Sequence, residues 1–248
     1  MTSVTISKRL QTIARYCPEG ARVADIGSDH ALLASYLLVK GIASQVIAGE
    51  LNEGPYQAAL KQIHTLQERN RASVRKGNGL AVLSPGEVDV ICVAGMGGQL
   101  ITSILEAGAS KLPGVTRLIL QPNVGEELVR RWFLDHGWQL IAETILEEDG
   151  VIYEILVAER GEAVLPYEQK DRTIEELLRI GPFLWEEKSL VLQNKWRSEL
   201  DKWQKVLAQL QRSEKPEAEE RIKQIQAEVK WIDGVIACLR TDKQSFNT

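Results

Sequence analysis

The sequence contains little cysteine and no long apolar run. Its three cysteines, Cys17, Cys92 and Cys238, are far apart, odd in number and without CxxC spacing, which argues against a zinc site and a disulfide framework. No stretch approaches the roughly 18 apolar residues that a membrane span needs, and the N-terminus has no apolar leader core. We therefore expect a cytoplasmic protein with reduced thiols, no membrane partner and no metal.

The chain also lacks an excess of basic residues. Its formal net charge of -4 excludes a protein that coats nucleic acid through overall positive charge, although a local basic face remains open. Hydrophobic residues make up 44% of the 248 positions, which is enough for a substantial core. Because this length permits one large domain or two modest ones, the internal pattern must decide the domain count.

Residues 1–160 alternate between β-prone runs and helical segments. The apolar run VDVICVA is typical of a strand buried on both faces of a parallel sheet. Residues 138–160 form two further β-rich runs joined by the acidic turn Glu148-Asp149-Gly150, which indicates a hairpin. The pattern predicts an α/β fold with a Rossmann-like parallel sheet that ends in an antiparallel hairpin and binds ligands at the carboxyl ends of its strands. The predicted parallel strands are 22–26, 45–49, 73–75, 88–94 and 117–120; the predicted helices are 5–16, 30–41, 55–69, one from 97 onward, and 126–136.

Residues 161–248 have a different pattern, in which long charged segments carry apolar residues every three or four positions. Two such stripes, separated by residues 213–216, predict an antiparallel helical hairpin with coiled-coil packing. The sequence thus predicts two domains, 1–160 and 161–248. The tryptophans here are more simply explained as core than as a stacking surface for bases. The stripes comprise Leu192, Trp196, Leu200, Trp203, Leu207 and Leu210, then Ile222, Ile225, Val229, Ile232, Ile236 and Leu239.

The loop after the first predicted strand has a single glycine. A dinucleotide-binding turn needs the three glycines of GxGxxG, so an NAD-dependent oxidoreductase is disfavoured. S-adenosylmethionine has no phosphate to accommodate, and one glycine beside a strand-end carboxylate suits it better. We expect Asp25 to anchor its ammonium group and Gly27 to allow close backbone approach. Ordinary turn chemistry is the alternative explanation of these two residues.

Polar residues also follow the second and third predicted strands. Glu50 lies where nucleoside-binding α/β folds accept hydrogen bonds from ribose hydroxyls. Asn78, between Gly77 and Gly79, can present its amide to an adenine edge. A solvated loop acid and a common Asn-Gly turn remain the alternatives.

The fourth predicted strand runs into Ala94-Gly95-Met96-Gly97-Gly98. Its three glycines remove side chains where a ligand would contact the backbone, and no P-loop ending follows them. The fifth predicted strand delivers Gln121 and Asn123, whose amides offer the donors and acceptors that reading a base edge requires.

Six motifs occur in order along the chain: DIGSDHALL, GELNEGP, GNGL, VAGMGG, LQPN and EEDGVIYEI. With these motifs the sequence resembles the TrmK family, the bacterial transfer RNA (adenine-22-N1)-methyltransferases. The resemblance implies a class I methyltransferase domain, S-adenosyl-L-methionine as cofactor, and a C-terminal helical domain that helps to hold transfer RNA. The expected cofactor-binding residues are Asp25, Gly27, Ser28, Glu50, Leu51, Asn78, Gly79, Ala94, Gly95 and Met96; the expected substrate-binding residues are Met96, Gly97, Gly98, Gln121 and Asn123.

Adenine N1 carries a lone pair, so it can attack a sulfonium methyl without prior deprotonation. The expected catalytic residues are Asp29, near the exocyclic amine, with His30 as helper and Asn123 receiving the base. Local hydrogen bonding at a helix start is the alternative for His30. Candidate residues for contacts with RNA phosphates are Lys8, Arg9, Arg15, Arg71, Arg75, Arg130, Arg131, Lys195, Arg197, Lys202 and Lys205.

Two other functions remain open at this stage. The enzyme could methylate a small molecule or a protein, although a small substrate needs no extended helical arm. The chain could instead be a cofactor-binding, coiled-coil RNA-binding protein without catalysis. The helical stripes can pair within one chain or between two, so a monomer or a weak homodimer is expected.

Overall fold

A computed structural model describes residues 4–168, 171–211 and 218–240. The chain divides into two compact units, Met1–Phe183 and Leu184–Thr248. The first unit therefore extends beyond residue 160, where the sequence pattern predicts the domain boundary.

The first unit contains a seven-stranded sheet in the order β3-β2-β1-β4-β5-β7-β6. Strands β1 to β5 are parallel, whereas β7 is antiparallel to both β5 and β6. This arrangement confirms the predicted Rossmann-like sheet and its closing hairpin. The strands are β1 Ala21–Ile26, β2 Ala43–Glu50, β3 Ala72–Lys76, β4 Val90–Gly97, β5 Arg117–Val124, β6 Trp138–Glu148 and β7 Val151–Arg160.

The central strands are buried on both faces. In β4, Ile91 and Val93 pack into the core on one side of the sheet, while Val90 and Cys92 pack into the core on the other. This burial explains the nearly continuous apolar run in the sequence. All three cysteines are free thiols, and Cys17 and Cys92 are buried with their sulfur atoms 3.9 Å apart.

Six helices are assigned wholly within the described part of the first unit. The predicted helix at 30–41 begins later, at Leu32, because Asp29, His30 and Ala31 have φ angles of 39°, 65° and 54°. The predicted helix at 55–69 ends earlier, at His64. Between β3 and β4 the chain forms only a short 3-10 turn, Gly79–Val82. The helices are α1 Lys8–Arg15, α2 Leu32–Val39, α3 Glu53–His64, α4 Gly98–Ala107, α5 Glu126–Asp135 and α6 Ile174–Ile180.

The hairpin between β6 and β7 turns at Asp149 and Gly150. Their φ angles are 52° and 77°, which is the pair of left-handed residues that a tight type I′ turn requires. The acidic turn predicted from the sequence is therefore confirmed.

Arg130 is fully buried, so its expected role in contacting RNA phosphates is wrong. Its guanidinium bonds to Glu143 at 2.6 Å, to Glu154 at 2.5 Å and to the carbonyl of Leu178 at 3.1 Å. Glu143 also accepts the backbone N–H of Phe183 at 3.0 Å. These bonds join α5, β6 and β7 to residues 178–183, which is why the first unit continues past the last strand.

The charges in this cluster are unequal, with one guanidinium facing two carboxylates. Burial raises the pKa of Glu143, although Arg130 opposes that shift. Burial alone would lower the pKa of Arg130, but the two carboxylates outweigh it and raise that pKa.

The second unit contains two long helices, α8 and α9. Near the start of α8, Gln193 donates to the carbonyl of Leu239 near the end of α9 at 3.3 Å, so the helices are antiparallel. Trp196 and Trp231 pack edge to face with ring centroids 5.2 Å apart. The predicted turn at 213–216 lies outside the described residues. Helix α7, Pro182–Glu187, crosses the boundary between the units, and α8 and α9 are Leu190–Leu210 and Ala218–Arg240.

The two apolar stripes are buried in part. Leu200, Trp203, Leu207 and Leu210 remain partly exposed. No helix in the described ranges combines the length and apolar character that crossing a membrane would require. The fully buried stripe residues are Leu192, Trp196, Ile225, Ile232, Ile236 and Leu239.

Candidate active site

The loops after β1, β2, β4 and β5 meet at the carboxyl edge of the parallel sheet. Strand β1 lies between β2 and β4. Strands β1 to β3 are added toward one edge of the sheet, and β4 and β5 are added toward the other, so the strand order reverses between β1 and β4. Open α/β sheets bind ligands at such a switch point.

Asp25, near the end of β1, is a buried carboxylate with only 4% of its surface exposed. It accepts the hydroxyl of Ser28 at 2.6 Å and a backbone N–H from Ala34 in the first turn of α2. Burial raises the pKa of Asp25 to about 7, and the nearby charge of Glu50 adds to the shift, while these hydrogen bonds and Arg9 oppose it. The site thus holds a carboxyl group whose charged form would be stabilised by a positively charged hydrogen-bond donor.

Glu50 ends β2 beside Asp25 and is also buried. Its Oε1 accepts the backbone N–H of Asp29 at 2.6 Å. Burial raises the pKa of Glu50, and the hydrogen bond from Asp29 opposes that shift. Two acceptor groups on neighbouring strands therefore face the same edge of the sheet.

Gly27 follows Asp25 by two positions and has a φ of 68°, and its N–H donates to the carbonyl of Gly49, the residue before Glu50, at 2.9 Å. A Cβ at this position would collide with the Cε methyl of Met96. The loop after β1 and the end of β4 are therefore in contact, and only glycine fits at position 27 without displacing Met96.

The three residues that precede α2 turn their side chains differently. Asp29 and His30 are exposed, with 87% and 62% of their side-chain surfaces accessible, and Asp29 Oδ1 lies 3.5 Å from His30 Nε2. Ala31 is buried. A carboxylate and an imidazole thus lie together on the open side of the site.

The irregular end of β4 is held by the side chains of β5. Gly95 has a φ of 78° and sits at an irregularity in the pairing of β4 with β5. Gln121 accepts the N–H of Gly95 at 3.1 Å, and Asn123 donates its amide to the carbonyl of Gly95 at 2.9 Å. Gln121 also donates to Asn123 Oδ1 at 3.1 Å.

Gln121 and Asn123, both predicted to bind the substrate, occupy different environments. Asn123 is exposed at the end of β5, whereas Gln121 has no exposed surface. Gln121 therefore supports the loop from beneath, and only Asn123 is open to a ligand.

Arg9 belongs to this site, although the sequence suggested only a contact with phosphates. Its guanidinium donates to Gln121 Oε1 and lies over the ring of Tyr153, 5.2 Å from the ring centroid. A signal was present in the sequence, because Arg9 lies four positions before the buried Ile13 and therefore shares its face of α1.

The remaining predicted residues lie around the same edge. Leu51 and Asn78 are exposed, and Ala94 and Gly97 are half-buried. Gly79, with a φ of 52°, is closely approached by Ile104 of α4, and the two line a cleft together with Asn78, Leu100 and Ser103.

Gly98 packs directly against the turn after β5, because a Cβ on Gly98 would collide with the carbonyl oxygen of Gly125. Within the described ranges, no three histidine, cysteine or carboxylate side chains cluster as metal ligands would.

The strand order, the two buried strand-end carboxylates and the single glycine between them are those of a Rossmann-like protein that binds a nucleoside. Residues 23–234 match the family model described as TrmK: tRNA (adenine(22)-N(1))-methyltransferase. The chain belongs to this family, as the six sequence motifs indicate.

Individual relatives agree with the family match. The chain is 43% identical over 237 residues to the tRNA (adenine(22)-N(1))-methyltransferase of Bacillus subtilis (strain 168), which covers 95% of this chain and 99% of the relative. The crystal structure of the B. subtilis m1A22 tRNA methyltransferase TrmK superposes with a TM-score of 0.88 at 42% identity, covering 94% of this chain and 100% of that one. Streptococcus pneumoniae Sp1610, solved in complex with S-adenosyl-L-methionine, gives a TM-score of 0.82 at 41% identity, with 94% and 100% coverage.

Proposed function

We propose that this chain transfers a methyl group from S-adenosylmethionine to N1 of adenine 22 in transfer RNA, in the cytoplasm. The observation that carries the proposal is the pair of buried carboxylates, Asp25 and Glu50, on either side of Gly27 at the switch point of a sheet from this family.

The residues at this edge of the sheet fit the cofactor. S-adenosylmethionine supplies a sulfonium methyl group that is open to attack by a nucleophile. Asp25, whose carboxyl group has a pKa raised to about 7 by burial, would bind the ammonium group, which favours the charged carboxylate. Glu50 would accept the ribose hydroxyls, and Gly27 would contact the ligand through its backbone.

The other cofactor contacts follow the same edge. Ser28 holds the Asp25 carboxylate in place through its hydroxyl, 2.6 Å away. Asn78 and Gly79 would line the adenine ring of the cofactor beside the cleft that Ile104 closes. Leu51, Ala94, Gly95 and Met96 complete the set as apolar or backbone contacts.

The target base would lie over the loop of Met96, Gly97 and Gly98, with the amide of Asn123 at its edge. Asn123 is exposed, and its orientation is fixed by its bonds to Gly95 and Gln121. We assign Gln121 a supporting role in place of the direct contact expected from the sequence. Because N1 lies on the pairing edge of adenine, the base must be unpaired or turned out of its stack to reach this loop.

Positive charge moves onto the purine as N1 gains the methyl group. The exposed carboxylate of Asp29 would stabilise that charge or accept a proton from the exocyclic amine, with His30 beside it. N1 attacks through its own lone pair, so this reaction needs no prior deprotonation and no metal ion. The main task of the chain's residues is then to position the base.

The helical unit would hold the transfer RNA. Its antiparallel helices α8 and α9 would pack as a coiled coil within one chain, which we take to be a monomer or a weak homodimer. Lys202 and Lys205 lie exposed on α8 and can reach phosphates. On this proposal, the first unit is the methyltransferase domain and the helical unit is an arm that binds transfer RNA.

The test is incubation of the full chain with labelled S-adenosylmethionine and unmodified transfer RNA, followed by mass spectrometry of the nucleosides. We expect N1-methyladenosine, and we expect none when adenine 22 is replaced by guanine. Methylation of another position, or of no RNA while the cofactor still binds, would contradict the proposal.

A further inference from the structure

Gln121 uses its whole hydrogen-bonding capacity inside the protein. A carboxamide has two acceptor positions and two donor hydrogens. In Gln121, Oε1 accepts from Arg9 and from the N–H of Gly95, while Nε2 donates to the carbonyl of Pro122 at 2.8 Å and to Asn123 at 3.1 Å. With no exposed surface and no free position, this side chain can act on a substrate only through its neighbours.

The direction of these bonds is set by Arg9. A guanidinium group only donates hydrogen bonds, so its contact requires the oxygen of Gln121 on the side of Arg9 and the nitrogen on the side of Asn123. The nitrogen of Gln121 in turn requires the oxygen of Asn123 to face it. The Asn123 amide nitrogen is thereby directed to the carbonyl of Gly95, 2.9 Å away.

Arg9 is itself held firmly. The carboxylate of Glu148, at the end of β6, accepts the backbone N–H groups of Lys8 and Arg9 at 2.5 and 3.0 Å, and the guanidinium lies over the ring of Tyr153 in β7. The closing hairpin of the sheet therefore fixes the start of α1, and α1 brings the arginine to Gln121, beside the end of β4.

We propose that Arg9 is a positioning residue for methyl transfer, which acts through Gln121 to orient the Asn123 amide and the Gly95 loop toward the target adenine. This inference rests on the proposed function, because it assumes that Asn123 receives the base. Arg9 does not touch the reacting atoms; it sets the orientation of a side chain that does.

Steady-state kinetics of Arg9→Met should show a fall in kcat of about 10- to 100-fold at saturating cofactor and RNA, the range expected when a reacting group is slightly misplaced. The affinity for S-adenosylmethionine should stay within about twofold at about pH 8.5, where Asp25 is charged with or without Arg9. Arg69→Met is the matched control, since Arg69 is exposed and precedes β3, at the opposite end of the strands, and it should keep the wild-type kcat.

A double-mutant cycle separates this role from a general loss of structure. If Arg9 acts through Gln121, then adding Arg9→Met to Gln121→Met should lower kcat no further than Gln121→Met alone. Losses that multiply would overturn the proposal.

Gln121→Glu provides a second test that does not depend on the folding of an Arg9 variant. The carboxylate keeps the acceptor for Arg9 and Gly95 but presents an oxygen to Asn123 in place of the donor. We expect kcat to fall at least about tenfold with cofactor binding retained. A wild-type kcat would overturn the proposal, whereas failure of the wild-type chain to methylate adenine 22 would instead reject the proposed function.

Discussion

The carboxylate of Glu50 accepts the backbone N–H of Asp29 at 2.6 Å, and this bond ties the loop after β1 to the end of β2. The loop contains three successive non-glycine residues with positive φ, each of which costs about 1–2 kcal/mol. The bond from Glu50 helps to hold this unfavourable conformation. The side chain of Asp29 is left out of that contact and is exposed.

The loop is held through the backbone N–H of Asp29. The side chain of Asp29 can therefore be changed without loss of the loop conformation. Asp29→Asn also tolerates the left-handed conformation. We expect kcat to fall by about 10²- to 10⁴-fold, the range typical of a lost acid-base group, with cofactor affinity nearly unchanged. Turnover assays and calorimetry on the same preparation measure both quantities.

His30→Asn is the companion variant for this experiment, and we expect a smaller loss of kcat from it. An equal loss of cofactor binding in Asp29→Asn and Asp25→Ala would contradict the division of roles between the two carboxylates.

Cofactor affinity should depend on pH through Asp25. Its pKa is raised to about 7 in the free protein, so at about pH 6 only about a tenth of the chains carry the carboxylate, and the Kd should be about tenfold higher than at about pH 8.5. Calorimetric titrations across this range test the expectation. Asp25→Asn should bind weakly at every pH, and a Kd for the wild-type chain that is constant across the range would refute the role of Asp25.

The Asp25 carboxyl group also affects the stability of the fold, but with the opposite dependence on pH from that of cofactor affinity. Because the folded-state pKa lies above the ordinary value of 3.8, the folded protein binds the extra proton between about pH 4 and about pH 7. The contribution of Asp25 to the free energy of unfolding therefore falls as pH rises across that interval, and Asp25→Asn should remove it.

Arg130→Met should destabilise the first unit by about 3–5 kcal/mol, because the buried carboxylates of Glu143 and Glu154 would each lose their ion pair with Arg130. Urea denaturation monitored by tryptophan fluorescence measures the change. Arg131→Met is the neighbouring control, since its pairs with Glu127 and Glu175 are partly exposed and worth about 1 kcal/mol or less. Equal effects of the two substitutions would mean that the buried cluster does not stabilise the fold.

Lys202→Ala combined with Lys205→Ala should weaken the binding of transfer RNA and lower its salt dependence. Each lost phosphate contact reduces the slope of log K against log salt by about one. Lys61→Ala, at an exposed position of α3, provides the control. If the slope is unchanged in the double variant, α8 does not contact the RNA through these lysines.

The sheet could be predicted from the sequence because its signals are local. The apolar run in β4 and the Asp149-Gly150 turn each depend on a few adjacent residues. The late start of α2 could not be predicted, since the left-handed residues before it are held by Glu50, 21 positions away from Asp29.

The candidate site could also be predicted only in part from the sequence. The positions of Asp25 and Glu50 follow from where the strands end. The burial of Arg130 does not, because its partners Glu143 and Glu154 lie 13 and 24 positions away and meet it only in the folded sheet. The bond from Arg9 to Gln121 spans 112 positions, and only the spacing of Arg9 relative to buried apolar residues indicated that its side chain is directed toward the protein.

The Cε methyl of Met96 fills the space that a side chain at position 27 would need. Residues 27 and 96, which are far apart in the sequence, therefore share one small volume. Because the backbone at position 27 also has a φ of 68°, a shorter residue at position 96 would not by itself make a larger residue acceptable there, so glycine should be retained at position 27 among related sequences whatever residue occupies position 96.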